Sequence, residues 1–317
     1  MPRAVRAVLL LGVLAGVACY QDGGTGPAAD GVTRVFLTDA GFPFDAVSHV
    51  EVYVTEIAAS TQADTSAGAG GWLIIESPRR RFDLLALQQG TTTLLGEAQI
   101  PAGEYRAVRL AIDCDSSRIL WKDGGEARVR WPVSGELALH AVVEEPLAVP
   151  EGGAQLVVDF DVGRSFTDRL ADPLHDFVFL PVLRAVNAAA TGTLRGTVRG
   201  DLDGDDTLEP VRDAAITVYR GDPAQPSGTW SVTATGHTGA DGSYVVAFLL
   251  AGSYIVQAEA PAAALLAPLT VAHVSVAAGD DVSLPLVLTP VGGASPAIGG
   301  ADGVRAPQPL EQSRSEP

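Results

Sequence analysis

Apolar and polar residues alternate with period two along much of the chain. Val50, Val52 and Val54 alternate with Glu51, Tyr53 and Thr55, and Leu156, Val158, Phe160 and Val162 alternate with Val157, Asp159, Asp161 and Gly163. Successive side chains on a strand point to opposite faces, so this period predicts strands. Segments 119–121 and 127–131 flank Lys122-Asp123-Gly124-Gly125, whose Asp-Gly pair predicts a hairpin turn. Gly70-Gly71 ahead of Trp72-Leu73-Ile74-Ile75, and the Phe- and Val-rich run 176–183, predict further strands. Helical periodicity is weak, and its best instance, 82–90, predicts a turn or two stopped by Gly90. Region 32–186 is therefore expected to form one antiparallel all-β body.

Segment 187–192 carries only small side chains and no period, which predicts a linker. Beyond it, strands are expected at 194–198, 215–220, 229–235, 243–249, 253–259, 269–276 and 282–288. Seven short strands make an Ig-like sandwich over 193–289, so the fold class is all-β with two β domains. Asp241-Gly242 and Gly252 are expected to supply positive φ at tight turns. Tyr254 then caps the core, and Ala102-Gly103-Glu104-Tyr105 repeats the device in the first body. Residues 290–317 are rich in Gly, Pro, Ala and Ser, the composition of a disordered tail.

The first residues follow another pattern. Arg3 and Arg6 precede the apolar run 7–18, and Gly16 and Ala18 are the small residues a signal peptidase needs before Cys19. About 20 apolar residues cross a bilayer, and this run is too short, so 1–18 reads as a cleaved leader. Leu14-Ala15-Gly16-Val17-Ala18-Cys19 resembles the lipobox of bacterial lipoproteins, with Gly16 where that motif usually has leucine. The resemblance implies lipid on Cys19; ordinary secretory cleavage at the same bond is the alternative. Residues 19–31 form a Gly-rich tether with a reach of roughly 20 Å. In the sorting logic of such lipoproteins, Tyr20 in place of aspartate implies the outer membrane or cell surface. Cys114 is the only other cysteine, so an exported chain has no internal disulfide framework, and Cys114 is expected to be a small core or strand-end residue.

Charge narrows the partners. The 317 residues carry 21 basic and 38 acidic side chains, a net charge of −17, and loss of Arg3 and Arg6 leaves 19 against 38, or −19. Such a surface repels phosphate backbones, which excludes nucleic acid as a partner class. Asp201, Asp203, Asp205, Thr207 and Glu209 fall at positions one, three, five, seven and nine of a calcium loop. Asp206 replaces the usual glycine at six and Arg212 the glutamate at twelve, so a structural Ca2+ site and a solvated acidic turn both remain open. Asp39, Asp83, Asp159 and Asp161 are expected to face solvent or cap turns, with an acidic pocket as the alternative. Trp72, Trp121, Trp131, Trp230 and Tyr244 are expected mainly in cores, with Trp230 and Tyr244 as weak ligand-binding candidates. No G-x-S-x-G, H-E-x-x-H or phosphate loop occurs, so no enzymatic activity is expected. A hydrolase would need a cavity holding two carboxylates, one with a strongly raised pKa.

Two stretches resemble known families. Val35-Phe36-Leu37-Thr38-Asp39-Ala40, Arg81-Phe82-Asp83-Leu84-Leu85-Ala86-Leu87, Pro101-Ala102-Gly103-Glu104-Tyr105 and Val158-Asp159-Phe160-Asp161-Val162 resemble an uncharacterised domain-of-unknown-function family of bacterial lipoproteins over 32–186. Gly196-Thr197-Val198, Ala214-Ala215-Ile216-Thr217-Val218-Tyr219, Thr238-Gly239-Ala240-Asp241-Gly242-Ser243-Tyr244 and Leu250-Ala251-Gly252-Ser253-Tyr254 resemble the carboxypeptidase-regulatory-like, transthyretin-like sandwich, also grouped with carbohydrate-binding-like folds. The second resemblance implies a non-catalytic accessory module. The expectation is a lipid-anchored envelope protein held to the membrane through its lipid. It would act by binding or structural presentation toward a glycan or an envelope protein, with carbohydrate recognition by the second sandwich as the nearest alternative.

Overall fold

The computed structural model describes residues 30–39, 46–62, 71–168 and 174–291. The leader, Cys19, the tether before residue 30 and the tail from 292 lie outside the described residues. Among the described residues the secondary structure is strand with a few single helical turns, an all-β fold.

The first unit faces two sheets across one core. One sheet runs Leu183–Asn187, Gln155–Phe160, Asp30–Asp39 and Thr93–Pro101 in spatial order. The other runs Leu73–Glu76, Val47–Ser60, Ala107–Trp121 and Glu136–Ala141, with Arg80–Asp83 also on Val47–Ser60. Val50, Val52 and Val54 from one and Leu156, Val158 and Phe160 from the other are buried together, as their alternation predicts. Cys114 is buried in the same core, and desolvation pushes its thiol up to about 11.

Pairing is not antiparallel throughout. Asp30–Asp39 runs parallel to Gln155–Phe160 while pairing antiparallel with Thr93–Pro101. The two parallel strands are separated in sequence by the whole opposite sheet, a crossover that parallel neighbours require. The expected hairpin at 119–131 is also only half formed. Trp121 N–H donates to the Gly125 carbonyl around Gly124 at φ 89°, but Val129–Arg130 then departs to pair in parallel with Phe177–Phe179.

Leu183–Asn187 leads through a single 3-10 turn, Ala188–Ala190, into Thr191–Gly200 of the second unit. Asn187 caps that turn by accepting from the Ala189 amide. One sheet of this unit orders Ser231–His237, Ala215–Arg220, Gly252–Glu259 and Leu269–Val276. Opposite lies Thr191–Gly200, flanked by Ser243–Leu250 on one side and by Asp281–Ser283 and Leu286–Leu288 in parallel on the other. Leu194, Val198, Ile216, Val218, Tyr244 and Val256 fill the space between, a β-sandwich. The strand expected at 282–288 is broken at Leu284-Pro285, because Pro285 has no amide to donate to a ladder. Gly242 takes the expected positive φ of 75°, whereas Gly252 lies outside the left-handed region and opens a strand instead.

Candidate functional site: a charged seam between the β units

The first sheet has two buried faces. Leu156, Val158 and Phe160 point into the first core, while Val157, on the same strand, packs with Val186 and with Leu250 of the second unit, and Phe36, Ala188 and Phe248 pack against that cluster. Asp159 and Asp161 continue the Val157 face and are each only 5% exposed. This corrects the expectation that the strand aspartates face solvent: the second unit covers them. Asp39 is buried as well and accepts from the Val162 amide at 3.0 Å. Asp83 caps a turn as expected, accepting from the Leu85 amide and pairing with His49 at 2.8 Å, and Asp161 likewise caps a helical turn.

Arg184 crosses the seam. Its Nε donates to Asp159 Oδ2 at 2.9 Å, its Nη1 to the Phe248 carbonyl at 2.6 Å and its Nη2 to the Ala247 carbonyl at 3.2 Å. Those carbonyls lie in a bulge: the register passes from Gly192 opposite Leu249 to Leu194 opposite Val246, so Ala247 and Phe248 face Thr193 alone, with Phe248 at φ 59°. A bulge interrupts the ladder and leaves backbone groups to other partners. Thr235 Oγ1 donates to Asp161 Oδ2 at 3.0 Å, and Arg220 pairs with Glu144 at 2.7 Å, so three polar bridges accompany the apolar cluster.

Beside these groups is a cavity of about 130 Å³ walled by Val142, Val182, Leu183, Val232 and Ala234 and floored by Asp159 and Asp161. Burial pushes the Asp161 carboxyl up to about 6, opposed by the Arg164 amide and reinforced by the charge of Asp159. Two carboxylates in one cavity, one with a raised pKa, is what a hydrolase would need. The hydrogen bonding argues for a joint instead. Asp161 Oδ1 accepts from the Arg164 amide as the N-cap of the one-turn helix Val162–Ser165, Oδ2 accepts from Thr235, and Asp159 Oδ2 is held by Arg184. General acid catalysis needs a carboxyl free to reach its substrate, and the cavity is smaller than the roughly 300 Å³ at which small-molecule pockets begin.

The acidic loop gathers part of its expected set. Ligand oxygens of Asp201, Asp203 and Glu209 lie within 4.8 Å of one another, the spread expected around one calcium with Ca–O near 2.4 Å. Asp205 is not in that group. Its carboxylate is held below the usual range by hydrogen bonds from Thr207, whose amide donates to Oδ1 at 2.8 Å. Asp201 accepts from the Gly204 and Asp206 amides, and Glu209 from the Leu202 amide, so the loop is organised by its own carboxylates.

Tyr244 is not available to a ligand. It is buried in the sandwich core, its hydroxyl donates to the Leu284 carbonyl at 2.6 Å, and burial pushes its pKa up. Trp230 is half-buried, with Nε1 donating to the Asp222 carbonyl at 2.9 Å and its ring edge-on to Tyr219. Trp121 and Trp131 pack against the first core, and Trp72 lies under the Arg109 guanidinium at 4.7 Å. Sequence reasoning missed Arg184, Thr235, Glu144 and Phe248. One signal was present: Leu156-Val157-Val158 is apolar on both strand faces, the mark of a strand buried on both sides.

Residues 30–181 match the family model described as Domain of unknown function (DUF4382). No curated protein matches the chain. Among solved structures it is similar to the N-terminal domain of the shaft pilin SpaA from Lactobacillus rhamnosus GG, at 18% identity over 32% of this chain and 95% of that one, TM-score 0.25. It is also similar to GBS52, the minor pilin of Streptococcus agalactiae, at 12% identity over 84% of this chain and 99% of that one, TM-score 0.24. The Bacillus anthracis TIE protein matches at 11% identity over 83% of this chain and 34% of that one, TM-score 0.23. At such scores the architecture rests on the strands of this chain itself.

Proposed function

We propose that the chain is a non-enzymatic envelope lipoprotein, fastened through Cys19 and holding two β units outside the cytoplasm as a single presenting body. The observation that supports this reading is the seam, where Arg184 ties a strand of the first unit to two carbonyls of the second while Asp159 neutralises it. A guanidinium spent on three structural partners is a joint that fixes orientation, which a presenting module needs. The second sandwich serves as an accessory module of the carboxypeptidase-regulatory-like kind, and the acidic loop takes calcium as a stiffener through Asp201, Asp203 and Glu209.

Mass spectrometry of the N-terminal peptide, with fractionation of the cells that make it, tests the anchor. A lipid adduct on Cys19 in the membrane fraction is expected. An unmodified Cys19 in soluble secreted protein replaces anchoring with secretion, and an uncleaved leader in the cytosol ends the reading.

A further inference from the structure

We infer that the Gly200 end of the second sandwich docks a polypeptide segment carrying basic and apolar side chains together. The inference rests on the presenting role proposed above only in naming the surface presented, and its test does not involve Cys19. Strand register gathers this end. Gly200 lies between Glu209 and Leu288, and Leu266 stands so close that a Cβ on Gly200 would meet it. Ala215 sits opposite both His237 and Glu259, and the Asp213 amide donates to the Thr238 carbonyl. Val211 ties the two sets, its amide donating to the Val198 carbonyl and its carbonyl accepting from Thr238 Oγ1.

Apolar surface points outward here. Leu265 is 72% exposed and Val291 68%, and the Val291 amide donates to the Leu265 carbonyl at 2.9 Å. Leu202 and Leu208 are exposed as well, and so are Pro261, Ala262 and Ala263 between Glu259 and Leu265. Leu265 ends the turn Ala262–Ala264 at φ 52°, a left-handed conformation that suits glycine or asparagine better than a branched apolar residue. Backbone strain of this kind gathers at functional sites, and an exposed apolar patch rimmed by polar residues marks a surface that meets another protein.

Charge selects the occupant. Loop 201–209 brings five carboxylates and Asp213, Asp241 and Glu259 three more, against the guanidiniums of Arg199 and Arg212. In the loop, Asp201, Asp205 and Glu209 accept from backbone amides, which leave their charge in place, and the exposed Glu259 carboxylate has no partner among the described residues. A second copy presents the same acidic end and is repelled, as is an anionic lipid surface. Residues 292–317, which follow Val291, hold two arginines against three acidic side chains and supply no balancing charge. A basic polypeptide supplies it, and apolar neighbours on that segment cover Leu265 and Val291. A groove of about 450 Å³, lined by Asp213, Ala215, His237, Glu259, Pro261 and Ala262, has room for one of its basic side chains.

The test titrates the mature protein, in chelator so that calcium does not compete, with three octapeptides: Leu-Lys-Val-Arg repeated, Ser-Lys-Ser-Arg repeated and Leu-Glu-Val-Glu repeated. Amide chemical shifts of His237, Glu259, Leu265 and Val291 report the site. Saturable one-to-one binding of the first peptide is expected, about tenfold weaker for the second because it lacks apolar side chains, with the third not bound. Raising salt to about 0.5 M weakens the first peptide by screening. Leu265→Asn removes the apolar surface at a position whose positive φ asparagine accepts, and Glu259→Gln removes one charge from an exposed side chain, so both variants keep the native fold. Each weakens the first peptide about threefold or more. Equal affinity for the first two peptides, no saturation, shifts spread across the whole molecule, or native affinity in either variant overturns the inference.

Discussion

Tyr105 and Tyr254 do the same work in the two units. Each follows an Ala-Gly pair at a strand junction, is buried, and donates its hydroxyl to the carbonyl four residues earlier, Pro101 and Leu250 respectively. A hydroxyl so placed closes a strand corner, and a net hydrogen bond of this kind contributes about 1 kcal/mol. Tyr105→Phe should therefore lose about 1 kcal/mol in urea unfolding, and Tyr254→Phe somewhat more because Arg220 also donates to its oxygen at 3.2 Å. Unchanged midpoints in both would show that the corners hold without their hydroxyls. Asp161 makes a second prediction at this scale. Its folded pKa of about 6 lies above the ordinary 3.8, so the native state holds the proton more tightly than the unfolded chain. The corresponding stability is full below pH 3.8 and is lost as pH rises through about 6, by about 3 kcal/mol at most. Asp161→Asn keeps groups able to meet the Arg164 amide and Thr235, so unfolding free energies between pH 4 and pH 7 should fall less in the variant. Parallel pH curves for the two proteins would remove the assignment.

Strands are the level at which the sequence was most readable. Alternation at 50–54 and 156–162 located buried faces because each of those strands has one face on the first core. It misjudged Asp159, which neither faces solvent nor caps a turn, because a polar residue on an alternating strand reads as outward, and nothing local reports that a second unit lies there. Direction was equally hidden: the parallel match of Asp30–Asp39 to Gln155–Phe160 is a long-range choice that periodicity does not encode. Glycine chemistry was half legible, right for Gly242 and wrong for Gly252, while the positive φ near that turn falls on Phe248, held by the bulge under Arg184. The acidic loop was legible as a cluster, and the carboxylates of Asp201, Asp203 and Glu209 converge while that of Asp205 is taken up by Thr207. Scanning calorimetry with millimolar calcium against chelator should raise the melting temperature, because a ligand that binds only the folded loop stabilises it. Equal melting temperatures would return the loop to a solvated turn.

For the molecule as a whole, the seam decides whether two β units behave as one. Removing Arg184 leaves Asp159 buried and uncompensated beside Asp161, and breaking a buried pair from one side costs about 3–5 kcal/mol. Arg184→Met should therefore lower stability by that order and broaden the intramolecular distance distribution seen in small-angle scattering, while Arg184→Met with Asp159→Leu recovers most of the stability. A single variant as stable and as compact as the native chain would show that the apolar cluster of Val157, Val186 and Leu250 suffices.

The parallel pairing also governs the order of events at birth. Val35 meets Leu156, a partner 121 positions further along, and the strand that carries Val35 is interior to its sheet. Non-local contacts of that separation form slowly. That strand consequently waits without its parallel neighbour until residue 160 has been synthesised, so the sheet it belongs to closes last along the chain.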